Sequence, residues 1–532
     1  MGEVVELARA RWAAACAGTR DVISGGAALA PGRRGAVLLQ AAEDVYEIFK
    51  PGGRLHPTYF LEHEGHLVVE AVFLAVIAYL TLHPRAPHRS RKQEMPLSEQ
   101  EIDDLCEEWQ PEPLHKPLPN SQALPEPPVI SSAAGAWVVA NGRRVLNMVS
   151  LNFLGVAGDP VVMEECAATV VKYGVGSCGP RGFYGTIDVH LELEARLAEF
   201  MGTEESIIYA YDLATIPSVL PAFANAKDLI VCDEGVSYPI QNGCHLSRAK
   251  VRYFKHNDVA DLERVLLEVA AQDRRVRKPL NRRFIVVEGI YAQYGDLAPL
   301  AAIHALKCKY RYRLVVDESL ALGVLGAHGR GACEHSGLAP GQVEIVAASM
   351  GNALASVGGF CAGEREIVDH QRLSGLGYCY SASLPPLLAT AALGTLRTLQ
   401  GAQAPKLLAA LQRNARLLRD LLANIPGVSV WGGDADEASP IVHLQLAAAE
   451  GDAQAAEAVL QAAVDAALAD SGVLLVVNRL SPLDRVRVKP SIRLAVTAAH
   501  SEADVRTAAA AVADALARVV PATPCPVSKQ PS

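Results

Sequence analysis

Short apolar runs recur through the middle of this chain, and the segments between them have helical spacing. Ile207 to Ala210, Leu229 to Cys232, Val251 to Phe254, Phe284 to Glu288, Leu314 to Glu318 and Glu344 to Ala347 are rich in Val and Ile and too short for helices. Val189 to Met201, Asp258 to Ala271 and Leu300 to Lys309 carry helix-like patterns between them. Strands that are apolar on both faces must be covered on both sides, and intervening helices provide the cover. The pattern predicts an α/β large domain on a doubly wound sheet, with a cleft at the strand ends. After Pro385 and Pro386 the pattern changes to long Ala/Leu helices (Leu387 to Leu399, Lys406 to Asn424). The strand-like Ile441 to Leu446 and Ser491 to Val496 and a last helix, Ser501 to Val519, follow. These predict a smaller α+β C-terminal domain.

The expected organisation is an N-terminal extension (1–58), a membrane-anchor segment (59–95), a linker and N-terminal arm (96–150), the large domain (151–386), the small domain (387–520) and a tail (521–532). Leu67 to Leu82 is the most apolar stretch and carries Glu70. It is shorter than the ~20 residues a span usually needs. Arg85, His88, Arg89, Arg91 and Lys92 follow it, a basic flank that suits a cytosolic carboxyl side. A buried core helix or a helix lying in the membrane interface would have the same composition. Leu97 to Trp109 reads as an acidic helix opened by Ser98, followed by a Pro-rich linker. Asn141 and Gly142 mark a hairpin turn.

With a net charge of −9, the chain is a poor fit to nucleic acid. Its eleven cysteines show no CxxC pair and read as reduced thiols. Met1 to Gly53 lacks a signal-peptide pattern. His63 and His66 flank Glu64 without a third ligand spacing, so no metal site is expected. His190 reads as a helix-face residue. The glycines at 323, 326, 329 and 331 are not followed by Gly-Lys-Ser/Thr and do not form a phosphate loop.

Glu344 to Gly363 has the layout of a strand feeding a small-residue loop and then a glycine pair, Gly358-Gly359. It resembles the cofactor-lysine site of fold-type I pyridoxal-phosphate (PLP) enzymes of the α-oxoamine synthase family. In that family a lysine precedes the glycine pair, which lets backbone approach the cofactor. Here the lysine position reads Asn352, and no lysine lies between Lys309 and Lys406. An amide nitrogen is delocalised and forms no Schiff base. Lys172 to Glu194, Phe254 to Asp258, Asp317 to Gly326 and Tyr378 to Pro386 extend the resemblance over about 150–520. Together they are similar to serine palmitoyltransferase, specifically its first long-chain-base subunit family.

The resemblance implies a fold with a class I/II aminotransferase-like core and a subunit that is inactive alone. It implies a heterodimer with a PLP-bearing second long-chain-base subunit, at the endoplasmic reticulum membrane with the catalytic body facing the cytosol. The shared site would condense L-serine with palmitoyl-CoA to 3-ketosphinganine, with PLP held by the partner. Leu320 and Ser237 stand where active members carry histidines, and Asp317 stands where an aspartate pairs with the pyridinium nitrogen. Ser381 and Ser383 match the region that reaches a neighbour's PLP phosphate. Cys178, Gly179, Arg181 and Tyr184 belong to a Gly-rich loop expected at the interface, where Arg181 would neutralise a phosphate or carboxylate. Two other readings stand beside this one: a self-sufficient synthase using Lys255 or Lys307, and a structural or regulatory scaffold.

Overall fold

The computed structural model describes residues 73–79, 97–114, 127–276, 281–432, 439–447, 453–478, 484–486 and 488–519. The chain divides into two units, Met1–Leu124 and Pro125–Ser532.

In the first unit, residues 73–79 are helical and exposed. Among the described residues no helix is long and apolar enough to cross a membrane. The remainder of the expected 59–95 anchor lies outside them. The acidic helix runs Glu99–Glu108. Ser98 caps it reciprocally: Glu101 N–H donates to Ser98 Oγ (3.3 Å), and Ser98 N–H donates to Glu101 Oε2 (2.8 Å).

The second unit begins with the hairpin of β1 (Trp137–Ala140) and β2 (Arg143–Asn147). Asn141 and Gly142, at φ of 50° and 76°, form its left-handed two-residue turn. The large sheet follows: β3 (Glu205–Tyr209), β4 (Leu229–Asp233), β5 (Lys250–Phe254), β6 (Arg283–Glu288), β7 (Arg313–Asp317), β8 (Ile345–Ser349) and β9 (Gly359–Gly363). Their order is β3-β9-β8-β7-β6-β4-β5. β8, β7, β6, β4 and β5 run parallel, and β9 runs antiparallel to both its neighbours. All the β-type runs read from the sequence are present as strands.

β9 was not expected. Gly, Cys and Ala are weak strand formers, and small size is what this slot demands. A Cβ on Gly359 would lie 2.3 Å from Thr215 Oγ1 and 2.8 Å from the Ala348 carbonyl. A Cβ on Gly358, at φ +87°, would lie 2.4 Å from the Tyr209 carbonyl. The glycine pair expected to admit a cofactor is therefore filled by the chain's own helix Asp212–Phe223 and strand β3.

The small part contributes β10 (Val428–Trp431), β11 (Ile441–Leu446), β12 (Val473–Leu474), β13 (Val476–Asn478) and β14 (Ser491–Ala495). β10-β11-β14-β13 form an antiparallel sheet. Helix Ala453–Ala466 packs on β13 and β14, and helix Glu502–Val519 packs on that helix and on Ala404–Leu422. β12 pairs in parallel with β2, so the hairpin assigned to the N-terminal arm is built into the small part. Helix Pro386–Gln400, read as the first of the small domain, packs instead on Pro160–Tyr173 and Asp188–Met201 of the large part.

Candidate functional site: a cleft lined by carboxyl groups and a loop braced from within

The parallel strands end together, and their last residues converge. Glu288 closes β6, Asp317 closes β7 and Ser349 closes β8. These residues line a cavity of about 190 Å3 together with Asp212, Ser237, Ser319, Leu320 and Asn352. The sequence-predicted positions 237, 317, 320 and 352 are thus brought to one place.

Each has a definite job in the wall. Asn352 Nδ2 donates to the Ser319 carbonyl at 2.7 Å, tying the loop after β8 to the loop after β7. Ser319 Oγ accepts from Ser349 N–H at 2.9 Å, a second tie between the same loops. Ser237 starts helix Tyr238–Ser247, and its N–H donates to Glu288 Oε1. Leu320 is buried against the cavity and offers only carbon. Glu318, adjacent in sequence, is directed elsewhere: its oxygens accept the N–H groups of Ala332 and Cys333, both at 2.8 Å.

The sequence reading missed Glu288 and Asp212. Glu288 ends a strand run that had been recognised, and a polar residue closing an apolar parallel strand points at the cleft. Burial, then the charge of Asp317, pushes its carboxyl up to about 8. Burial likewise raises Asp317, which accepts Ser319 N–H at 2.9 Å. Asp212 is the first residue of helix Asp212–Phe223, and its Oδ1 accepts the next N–H, Leu213, at 2.7 Å. A carboxylate of the chain itself thus sits at the positive pole of that helix.

The cofactor implied by the resemblance does not fit this wall. Among the described residues no lysine, arginine or histidine lines the cavity. The helix pole that would meet an anion is already faced by Asp212, and the glycine pair is packed by Thr215. Lys255 is exposed. Lys307 pairs with Glu344 at 2.9 Å and donates to the Gln342 carbonyl at 2.7 Å. Neither lines the cleft.

A second feature is the loop from Gly174 to Thr186. Arg181 was expected to neutralise a substrate anion; the structure gives it another partner. Its guanidinium makes a bidentate pair with Glu194 (2.8 and 2.9 Å), donates to Thr186 Oγ1 (3.0 Å) and lies 5.4 Å from the Tyr378 ring centre. The side chains are 4% and 7% exposed. Glu194 also accepts the Ile208 N–H at 3.1 Å, so the loop is bolted to β3. The paired serines are spent within the chain as well. Ser383 is buried, with its Oγ against Ser177 Oγ and the Gly185 carbonyl and its N–H on the Gly179 carbonyl (2.9 Å). Ser381 Oγ donates to the Gly377 carbonyl at 2.6 Å. His190 is wholly buried rather than on a helix surface: Nδ1 accepts Ile187 N–H (3.1 Å) and Nε2–H donates to the Leu384 carbonyl (2.6 Å).

Braced from beneath, the loop turns its tip outward. Cys178 and Tyr184 hold positive φ, 56° and 65°. Val175, Phe183 and Tyr184 are exposed, Tyr184 fully at 103%. Gly179 and Gly185 allow the fold-back: a Cβ on Gly185 would lie 1.9 Å from the Gly179 carbonyl oxygen.

Beyond the cleft, His256 is clamped between two carboxylates. Nδ1 lies 3.0 Å from Asp233 and Nε2 3.0 Å from Asp296, and the ring stacks on Tyr294 at 3.7 Å. Burial pulls its pKa down, but the hydrogen bonds to Asp233 and Asp296 outweigh that and lift it to about 9. This is the role of the Phe254 to Asp258 motif: it ties the ends of β4 and β5 to the loop after β6.

This architecture is that of the fold-type I transferases, and the chain matches the aminotransferase class I and II family over residues 144–512. The similarity narrows further. Long chain base biosynthesis protein 1b of Oryza sativa subsp. japonica is 45% identical over 442 residues, covering 83% of this chain and 89% of that protein. Serine palmitoyltransferase 1 of Saccharomyces cerevisiae is 37% identical over 416 residues, 74% of each chain. Among solved structures, Sphingomonas wittichii serine palmitoyltransferase aligns with a TM-score of 0.65 and 27% identity, over 74% of this chain and 92% of that one. A serine palmitoyltransferase structure with a PLP internal aldimine aligns with the same score at 28% identity, over 74% of this chain and 93% of that one. The chain belongs to the family of serine palmitoyltransferase subunit 1 and long-chain-base biosynthesis protein 1.

Proposed function

We propose that this chain is the lysine-lacking subunit of a serine palmitoyltransferase, and that it acts by completing the active site of a homologous partner that holds PLP. The single observation that carries this is Asn352: the position that would hold the cofactor covalently bears an amide, and that amide is engaged with the Ser319 carbonyl. When bound by the partner, PLP would supply the electron sink for condensing L-serine with palmitoyl-CoA. This chain's contribution is positional. The Arg181–Glu194 pair and Ser383 hold the Gly174–Thr186 loop in one shape. Its exposed Val175, Phe183 and Tyr184 then meet the partner without first being ordered, which lowers the cost of association. Aromatic side chains offering large apolar area are suited to the centre of such an interface. Cys178 and Gly179 would lie at the turn that faces the partner's site. Leu67 to Leu82, with its basic flank, would hold the complex on the endoplasmic reticulum membrane with the body in the cytosol.

The test is co-purification and activity of the chain with its partner after Cys178→Trp and Tyr184→Ala. The expected result is an intact heterodimer with serine-dependent condensation reduced by about tenfold or more, because the altered loop displaces groups at the shared site. An intact complex with unchanged activity would favour the scaffold reading instead.

A further inference from the structure

The edge of the large sheet opposite the cleft is where the parallel strands begin, and its charge is divided. The four neighbouring strands β7, β6, β4 and β5 each start beside cations: Arg311 and Arg313, Arg282 and Arg283, Lys227, and Arg248 and Lys250. Their register sets them side by side. Lys250 and Arg283 both pair with Leu229, and Arg313 pairs with Phe284. Neighbouring strands are about 4.8 Å apart. Helix Val259–Val276 ends at the same edge, where Asp273 bonds Arg283, and adds Arg274 and Arg275. Apart from Arg283 these cations are exposed, and among the described residues none of them is in an ion pair. The carboxylates beside them in the chain are spent. Asp228 is buried and accepts the N–H groups of Asn225 (3.0 Å) and Arg282 (2.9 Å), and Asp273 is held by Arg283. The other half of the same edge is acidic and matched from within. β3 starts at Glu205, paired with Arg365 and Arg372, and β8 starts just after Glu344, paired with Lys307.

Cations at helix C-termini offset the helix dipole, but that does not account for the division. Helix Asp188–Met201 also ends at this edge, before β3, with Glu199 and no basic residue in its last turn. A protein partner is a poor match to the basic half, because interface cores are depleted in charge and anchored by aromatic side chains. Among the described residues no exposed aromatic stands there, and Leu246, beside Arg248, is its exposed apolar side chain. The same lack of stacking surface, with a net charge of −9, argues against nucleic acid. A row of unpaired cations without an apolar centre suits an anionic surface that demands no shape match. We propose that this basic half-edge docks on a lipid bilayer carrying anionic headgroups, and that it orients the body by charge with the acidic half turned away. The proposal is independent of the reading of Leu67 to Leu82 as an anchor.

The experiment is flotation of the purified full chain with vesicles of phosphatidylcholine alone or with about one-fifth phosphatidylserine. Stronger binding to the anionic vesicles is expected, falling as salt rises from about 0.05 to about 0.5 M. Each cation at such a surface is worth about fivefold in affinity, so Lys227→Gln, Lys250→Gln and Arg313→Gln together should weaken the anionic binding by about tenfold or more. Arg274→Gln with Arg275→Gln gives a second reading if the triple variant does not fold. Binding to neutral vesicles that is common to wild type and variants belongs to the anchor segment and is the baseline from which the charge effect is measured. Equal binding to both vesicle types would overturn the proposal. So would anionic binding that these variants leave unchanged, which assigns the charge effect to Arg85, Arg89, Arg91 and Lys92. Binding of single-stranded RNA that the variants lose, without preference for anionic vesicles, would overturn it in favour of nucleic acid.

Discussion

Removing one member of the Arg181–Glu194 pair should be among the most damaging single changes in the chain. In Glu194→Leu the guanidinium stays buried beneath Tyr378 without a counter-charge, and the Ile208 N–H loses its side-chain acceptor. Breaking a buried pair from one side costs about 3–5 kcal/mol, because the remaining charge keeps its desolvation penalty. Arg181→Met should cost a similar amount by stranding Glu194. Replacing both, as Arg181→Met with Glu194→Leu, removes both charges and should recover most of the loss, because apolar replacement of a buried pair is often close to neutral. The assay is urea unfolding of the wild type and the three variants, read as a double-mutant cycle. The expected coupling is about 2 kcal/mol or more. Single substitutions that each cost below about 1 kcal/mol, or strictly additive effects, would refute the account of the loop as bolted from within.

Three further outcomes follow from the geometry. Asn352→Lys alone should give no serine-dependent turnover, because Leu320, Ser237 and the Asp212 carboxylate remain in the wall; measurable activity in that single variant contradicts the account. His256, lifted from 6.5 to about 9, contributes about 3 kcal/mol that is complete below pH 6.5 and lost as pH rises through 9; unfolding midpoints from pH 6 to 10 should fall accordingly and flatten in His256→Gln. Gly185→Ala forces a Cβ against the Gly179 carbonyl, so a loss of about 3 kcal/mol in unfolding free energy is expected together with loss of partner complementation; a wild-type midpoint would show that the loop adapts.

Much of the large sheet was legible because fully buried parallel strands announce themselves as unbroken apolar runs. β9 was not, since its composition reflects the crowding of Thr215 and β8 rather than strand propensity. Helix Asp212–Phe223 was hidden for a related reason: Pro217 and Pro221 interrupt its pattern, and its stability comes from packing on the sheet. The cleft positions of Asn352 and Asp317 could be read from the chain alone. The partners of Arg181 and Ser383 could not. Whether an arginine in a Gly-rich loop is free or paired depends on a glutamate thirteen residues on that folds back beneath it. Glu288 and Asp212 escaped notice because their meaning lies in convergence on one cavity from separate elements.

On the function proposed above, this chain supplies shape to an active site whose cofactor a partner holds. The most direct measurement is the absorbance spectrum of the purified chain with PLP, alone and then mixed with the homologous partner lacking none of its own residues. The account predicts no Schiff-base band with the chain alone, and a band with serine-dependent condensation in the mixture. A Schiff-base band in the isolated chain would contradict it.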